Sequence, residues 1–363
     1  MRKILYTIGA LCLVLGCADH DGIERNNPVR TPITIGGAYP SSSVVQTRAI
    51  VDGGFVAGDE MGIFVVDRND GEPGELSLNG NRASNIRFTL QDDGVWQAST
   101  QLYWDEKGAS ADFYGYYPFD GYLSSLTAQP FTVSATQNIE AKGSVLAGYT
   151  ASDLLWVKKE NVAPTAETIT LQYQHLMAGV TVRLERGTGF SAEDWASLDK
   201  NVLLTNTVTK GTVNLTTGTV SSVSGNTATI SPLSLNDSYR AVVIPQTVDA
   251  GKELISILID GQSYSLKKTE AITFTSGKMH QFTVTVDRKT ASGDFTVTLA
   301  DEAITPWTDD FEMHDGLVRQ YVVVETSEAG TLKEIMTAKD IDYTEVTALK
   351  IVGPFNEEDS KTV

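Results

Sequence analysis

The segment LQYQHLMAGVTVRL, Leu171–Leu184, changes phase part-way along. Ile169, Leu171 and Tyr173 are apolar at odd positions, whereas Val180, Val182 and Leu184 are apolar at even ones. Side chains alternate between the two faces of a strand, so one uninterrupted strand cannot hold both sets on one buried face. A bulge or bend between His175 and Gly179 must absorb the slip, and a glycine suits such a place. Just upstream, VKKENVAPTAET (Val157–Thr168) has the proline and polar residues of a linker. The stretch therefore marks the passage from one β-domain to another.

Outward from this point the chain is strand-rich. MGIFVVDR, ADFYGYYPF, TITLQYQ, VTVRLER, RAVVIPQ, QFTVTVDR and DFTVTLA are short runs of β-branched and aromatic residues bounded by Gly, Asn, Asp and Ser. Ile255, Ile257 and Ile259 alternate, Asp260-Gly261 supplies a hairpin turn, and Tyr264 and Leu266 return. Helical signal is confined to Ser191–Leu198 and Gly330–Lys339. Strands with turn signals every dozen or so residues predict two β-sandwiches, at 45–166 and 167–308, followed by a short mixed extension at 309–363.

The amino terminus has another logic. Arg2 and Lys3 precede an apolar run, Ile4–Leu15, that is shorter than the ~20 residues a membrane-spanning helix needs. This is the layout of a secretory signal peptide, 1–16. VLGC, Val14–Cys17, resembles the lipobox of bacterial lipoproteins. The resemblance implies cleavage between Gly16 and Cys17 and lipidation of the Cys17 thiol, with the multiple acyl chains that stable anchoring requires. Residues 17–44, polar and with Asp19, Asp21 and Glu24 near their start, read as a tether. Cys12 is the only other cysteine and leaves with the signal peptide, so the mature chain holds no thiol for disulfides, zinc or nucleophilic catalysis. Loss of Arg2 and Lys3 takes the formal charge from −18 to about −20, which argues against a nucleic-acid partner.

No catalytic or metal signature is present. His20, His175, His280 and His314 show no ligand spacing, and no HExxH, GxSxG or phosphate-binding loop occurs. The acidic loop VDRNDGEPGE lacks EF-hand spacing and reads as a solvated turn rather than a calcium site. The expectation is a protein without cofactor, metal or enzymatic activity. The one aromatic concentration is Phe113, Tyr114, Tyr116, Tyr117, Phe119 and Tyr122. Alternation makes both faces of this strand aromatic. One set must enter a core, and Tyr114 and Tyr116 either pack against a neighbouring domain or are the candidate ligand contacts, stacking on sugar rings.

FVAGDEMGIFVV, ADFYGYYPFDGYL, DLLWVK, LQYQHLMAGVTVRL, AVVIPQT, FTSGKMHQFTVTV and ITPW follow one another in an order that resembles the fimbrillin-like family, the lipoprotein precursors of type V pili. The resemblance covers roughly Val45 to Trp307. It implies two transthyretin-like β-sandwich domains, an outer-membrane or fimbrial location, and a role in assembly and adhesion. It also implies that a trypsin-like protease removes an amino-terminal strand, so that a strand from another pilus subunit adds to the open edge. The bond between Arg48 and Ala49, in VVQTRAIVDGG, matches the expected cleavage place; Arg25 and Arg30 are rivals, and some tip and anchor members are not processed. Val44 and Val45 form the apolar pair of the segment expected to leave. Beyond the match, YVVVETSEAGTLKEIM and VTALKIVGPFNEEDS resemble the opening of a leucine-rich-repeat surface module, although one unit falls short of the roughly three that bury a core. The alternative to a pilus subunit is a monomeric surface lipoprotein of the same fold that binds host glycan or protein. Metabolic labelling with a palmitate analogue should mark the wild type and not Cys17→Ala; label retained by the variant contradicts the anchor.

Overall fold

Alternating sequence becomes strand almost throughout the computed structural model, which describes residues 30–40, 54–140, 146–225, 227–235, 237–289, 294–307, 322–325, 328–338, 349–352, 354, 356 and 359. The fold is all-β. Two short strands open it, Pro32–Ile33 (β1) and Ile35–Ala38 (β2). Glu60–Asp67 (β3), Ala83–Leu90 (β4), Trp96–Ala98 (β5), Leu102–Tyr103 (β6), Ala111–Tyr117 (β7) and Gln129–Thr132 (β8) follow. Next come Leu155–Val162 (β9), Ile169–Gln172 (β10), Gln174–His175 (β11) and Ala178–Arg186 (β12). One sheet has the order β11-β9-β7-β3-β4-β5. The layer packed on it is made of β1, antiparallel to β6, and β2, parallel to β10. Ile33, Ile35, Ile169 and Leu171 of this layer share one core with Met61, Ile63, Phe113 and Leu155 of the sheet.

The second half contains Lys200–Val208 (β13), Lys210–Asn214 (β14), Thr219–Ser222 (β15), Thr227–Ile230 (β16), Leu233–Leu235 (β17) and Ser238–Val243 (β18). Gln246–Val248 (β19), Glu253–Ile259 (β20), Gln262–Lys267 (β21), Ile272–Phe274 (β22), Lys278–Arg288 (β23) and Phe295–Pro306 (β24) complete it. A sheet β17-β18-β12-β23-β24 and a sheet β16-β13-β20-β21 enclose a second core that includes Val182, Leu184, Val202, Ile255, Ile257 and Phe282. The predicted hairpin is present. Asp260 and Gly261 both have positive φ, 46° and 79°, as the tight turn between β20 and β21 requires. The helix predicted near Ser191 is Ala192–Ser197 (α1), closed by a capping box between Ser191 and Asp194. In the extension, Val322–Glu325 (β25) pairs in parallel with Leu349–Val352 (β26), and Leu332–Ala338 (α2) lies between them in sequence.

The phase change is a crossing between the two sandwiches. Leu171 and Tyr173 bury in the first core, while Leu176, Met177, Val180 and Val182 bury in the second. The structure moves the boundary drawn at 166/167, because β10 and β11 pair with β2 and β9 and complete the first sandwich. VKKENV is the end of β9 rather than linker; its polar residues lie where the strand runs out to solvent. The stretch read as tether, 17–44, likewise contains β1 and β2.

The two sandwiches are joined by buried hydrogen bonds. Gln137 is fully buried; its amide nitrogen donates to the Val242 carbonyl at 2.7 Å and its oxygen accepts from the Val242 N–H at 2.7 Å. The Trp156 indole donates to the Leu215 carbonyl at 2.7 Å, and β8 pairs with β14. Gln137→Ala leaves both Val242 groups buried without partners, at an expected cost of about 2–4 kcal/mol. Denaturant unfolding checks this, and a loss below about 0.5 kcal/mol contradicts a rigid joint built on Gln137.

Candidate functional site: the seat of the amino-terminal strand

Residues 31–39, TPITIGGAY, supply the strand pieces that close the first core, and the segment is held on both flanks. On one side the Trp104 N–H donates to the Thr31 carbonyl at 3.0 Å. On the other, the Ile169 and Tyr173 N–H groups donate to the carbonyls of Thr34 and Ala38 at 2.8 and 2.9 Å. Alternation places Ile33, Ile35, Gly37 and Tyr39 on the inward face. Ile33 and Ile35 are 2% and 1% exposed, so this short piece behaves as core. Beside it, between β2 and the edge strand β5, runs an open groove of about 640 Å³ lined by Ile33, Ile35, Phe88, Trp96 and Gln101 among others.

Tyr39 ends the segment in a mixed aromatic and ionic cluster. Its hydroxyl donates to Asp153 Oδ2 at 3.2 Å, and Asp153 Oδ1 lies 2.8 Å from His175 Nδ1. The His175 ring stacks on Trp307 at 3.9 Å between centroids, so the pair sits where the two sandwiches meet. Phe55 packs edge-to-face against Tyr39, Trp96, Tyr117 and Tyr173, with centroids 5.1–5.5 Å apart. Tyr39 and Phe55 therefore bring the chain on either side of residues 41–53 to one place. Asp59 holds the turn that carries Phe55, accepting from the Val56 N–H at 2.7 Å and the Tyr117 hydroxyl at 2.9 Å.

The sequence-predicted residues fall in three groups. Gly16, Cys17, Val44, Val45, Arg48 and Ala49 lie outside the described residues. Tyr114 and Tyr116 are 7% and 3% exposed and belong to the core that continues into the second sandwich. The Tyr116 hydroxyl is 2.8 Å from both Asn85 Oδ1 and the Asp120 carbonyl, and burial raises its pKa. Both faces of β7 are buried, so these rings serve packing between layers rather than a ligand surface. Arg30 is exposed and pairs with Glu106 at 2.6 Å. The acidic loop after β3 is a turn with Asp70 and Gly71 at positive φ, and Asp67 pairs with Arg82. Among the described residues no three His, Cys, Asp or Glu side chains are grouped to hold a metal ion. Sequence reasoning missed Tyr39, Asp153 and Phe55; the available signal was the inward alternation Ile33, Ile35, Gly37, Tyr39.

These features define a two-sandwich protein whose first core is completed by its own amino-terminal segment. A family model described as fimbrillin-like matches residues 47–307, and the chain belongs to the fimbrillin-like family. A candidate cell adhesion protein from Bacteroides ovatus ATCC 8483 superposes with a TM-score of 0.56 at 19% identity, over 77% of this chain and 98% of that one. A second, from Bacteroides uniformis ATCC 8492, gives 0.53 at 17% identity over 76% and 98%. At these identities the likeness establishes the fold alone. No curated protein sequence matches significantly. The family match ends at Trp307, and the comparisons give no support to a leucine-rich-repeat reading of the extension.

Burial pushes the Asp59 carboxyl above its ordinary 3.8, and its two hydrogen bonds only partly oppose this. The folded chain then holds this proton more tightly than the unfolded one. The group's contribution to stability is full below pH 3.8 and is lost as pH rises through the folded value. Asp59→Asn removes that dependence, so wild type should gain melting temperature relative to the variant as pH falls from neutrality toward about 4. A difference that stays constant over this range contradicts the assignment.

Proposed function

We propose that this chain is a structural, non-enzymatic subunit of a type V pilus, exported as an outer-membrane lipoprotein and joined to its neighbours by strand exchange. Family membership supports the pilus-linked part. The observation that carries the exchange is the position of β1 and β2. They complete the first core, yet they lie upstream of Arg48, between it and the lipid attachment expected at Cys17. A cut after Arg48 severs both the lipid and the core-completing strand from the body in one step. A cut after Arg25 or Arg30 would remove the lipid and leave β1 and β2 attached, which favours Arg48 over its rivals. The strand that leaves is then centred on Ile33 and Ile35, not on Val44 and Val45 as the sequence suggested.

Departure of residues up to 48 uncovers one edge of β10 and the slots filled by Ile33 and Ile35. An uncovered edge beside apolar slots pairs readily with another chain. On this reading the first sandwich runs from about Thr31 to His175 and the second from about Leu176 to Trp307, with 309–363 as an extension. Cutting at Arg48 favours a shaft subunit, and an uncut chain favours a tip or anchor. The full-length protein treated with a trypsin-type protease should yield a body beginning at Ala49 and then ladders of denaturant-resistant oligomers, and Arg48→Ala should block both. A body beginning at Ala49 that stays monomeric contradicts strand exchange and favours the monomeric surface lipoprotein, or a tip or anchor subunit.

A further inference from the structure

The seat of β1 and β2 is uneven in what it accepts, and this unevenness specifies the strand that replaces them; the point rests on the exchange reading above. We infer that the incoming partner is a β-strand of another subunit, parallel to β10, presenting two apolar residues, a glycine and a tyrosine at four successive alternate positions. These are the roles of Ile33, Ile35, Gly37 and Tyr39 in the chain's own segment. The backbone bonds to Thr31, Thr34 and Ala38 carbonyls can be matched by any strand, so selection comes from side chains.

The glycine position is the narrowest. A Cβ at Gly37 would lie 3.3 Å from Cε2 and Nε1 of Trp96 and 3.4 Å from Met61 Sδ. Both neighbours are buried, Met61 completely, and Trp96 is packed edge-on against Phe55. A branched side chain there must displace the buried Trp96 indole or the Met61 sulfur. Gly36 is a control within the same strand. Its Cβ would meet Thr168 Cγ2 at 3.3 Å, but Thr168 is exposed and free to give way. Position 36 is therefore expected to accept a side chain at lower cost than position 37.

The tyrosine position asks for a ring and a donor together. The slot is walled by Phe55 and His175, each edge-on to the Tyr39 ring at 5.2 and 5.7 Å. At its end sits the Asp153 carboxylate, 3% exposed, with one oxygen on His175 and the other accepting from the Tyr39 hydroxyl. A phenylalanine fills the volume and deprives that oxygen of its donor. A small residue leaves a void as well. The run Ile257, Ile259, Gly261, Ser263 meets the first three requirements and lacks the tyrosine, so the ring-and-donor slot is what separates the native segment from it.

The test uses the full-length chain with a sequence-specific protease site in residues 44–48, so opening the seat does not depend on natural cutting. After cleavage the native strand is exchanged in mild denaturant for a fluorescent peptide of residues 31–40, and unlabelled variants compete for the seat. Gly37→Val should weaken capture by about 30-fold or more and Gly36→Ala by less than about threefold, because only the first overpacks a buried neighbour. Tyr39→Phe should weaken it about 5- to 20-fold, through loss of a hydrogen bond to a buried carboxylate, and Tyr39→Ala further. The same substitutions in the intact chain should speed displacement of the native strand in the same order. Equal capture of all peptides, or no capture, overturns the inference. A flat series from a chain that still assembles leaves exchange standing and removes selectivity; the expected series from a chain that stays monomeric does the reverse.

Discussion

The first core is closed by a parallel pairing between residues far apart in sequence, Ile35–Ala38 against Ile169–Gln172. The proposed strand exchange rests on that pairing. The segment contributes two nearly fully buried isoleucines and backbone bonds on both flanks, so it is structurally part of the sandwich. It is also connected to the body only through residues 41–53. Burial holds it in place, and a single peptide-bond cleavage can free it. A strand integrated by several covalent passes could not play both parts.

The crossing at Tyr173–Gly179 ties this seat to the rest of the molecule. Tyr173 anchors the end of β10 in the first core, His175 stacks on Trp307 at the end of β24, and Gly179 lets Met279 and Trp307 close over it. A Cβ at Gly179 would come within 2.6 Å of the Met279 methyl and 3.1 Å of the Trp307 ring, so the glycine allows close approach there. Together with the Gln137 and Trp156 bonds, this ties the two sandwiches to each other through buried contacts.

Much of the fold was legible because alternation is a local signal. The odd-to-even switch in Leu171–Leu184, the Asp260-Gly261 hairpin and the doubly aromatic strand Ala111–Tyr117 could each be read without knowing any partner. The strand at the seat could not. In TPITIGGAY a proline and a glycine pair interrupt the strand-favouring Thr, Ile and Tyr residues, so the alternation is faint and the pairing comes from β6 and β10 on either side. The linker assigned to Val157–Thr168 failed for the converse reason. Lys158, Lys159 and Glu160 are polar because one end of β9 projects into solvent, and projection is a tertiary fact. The Tyr39–Asp153–His175 cluster joins three distant stretches and leaves no trace in any one of them.

Amide hydrogen exchange at Ile169 and Tyr173 tests the displaceable strand most directly, since these N–H groups donate to the Thr34 and Ala38 carbonyls of the amino-terminal segment. In the intact chain both should be protected. After cleavage following Arg48 and removal of the released segment, both should exchange rapidly in the monomer and become protected again on assembly. Protection that persists in the cleaved monomer, with the segment gone, would contradict the account, because the edge of β10 would then be closed by something other than the strand that leaves.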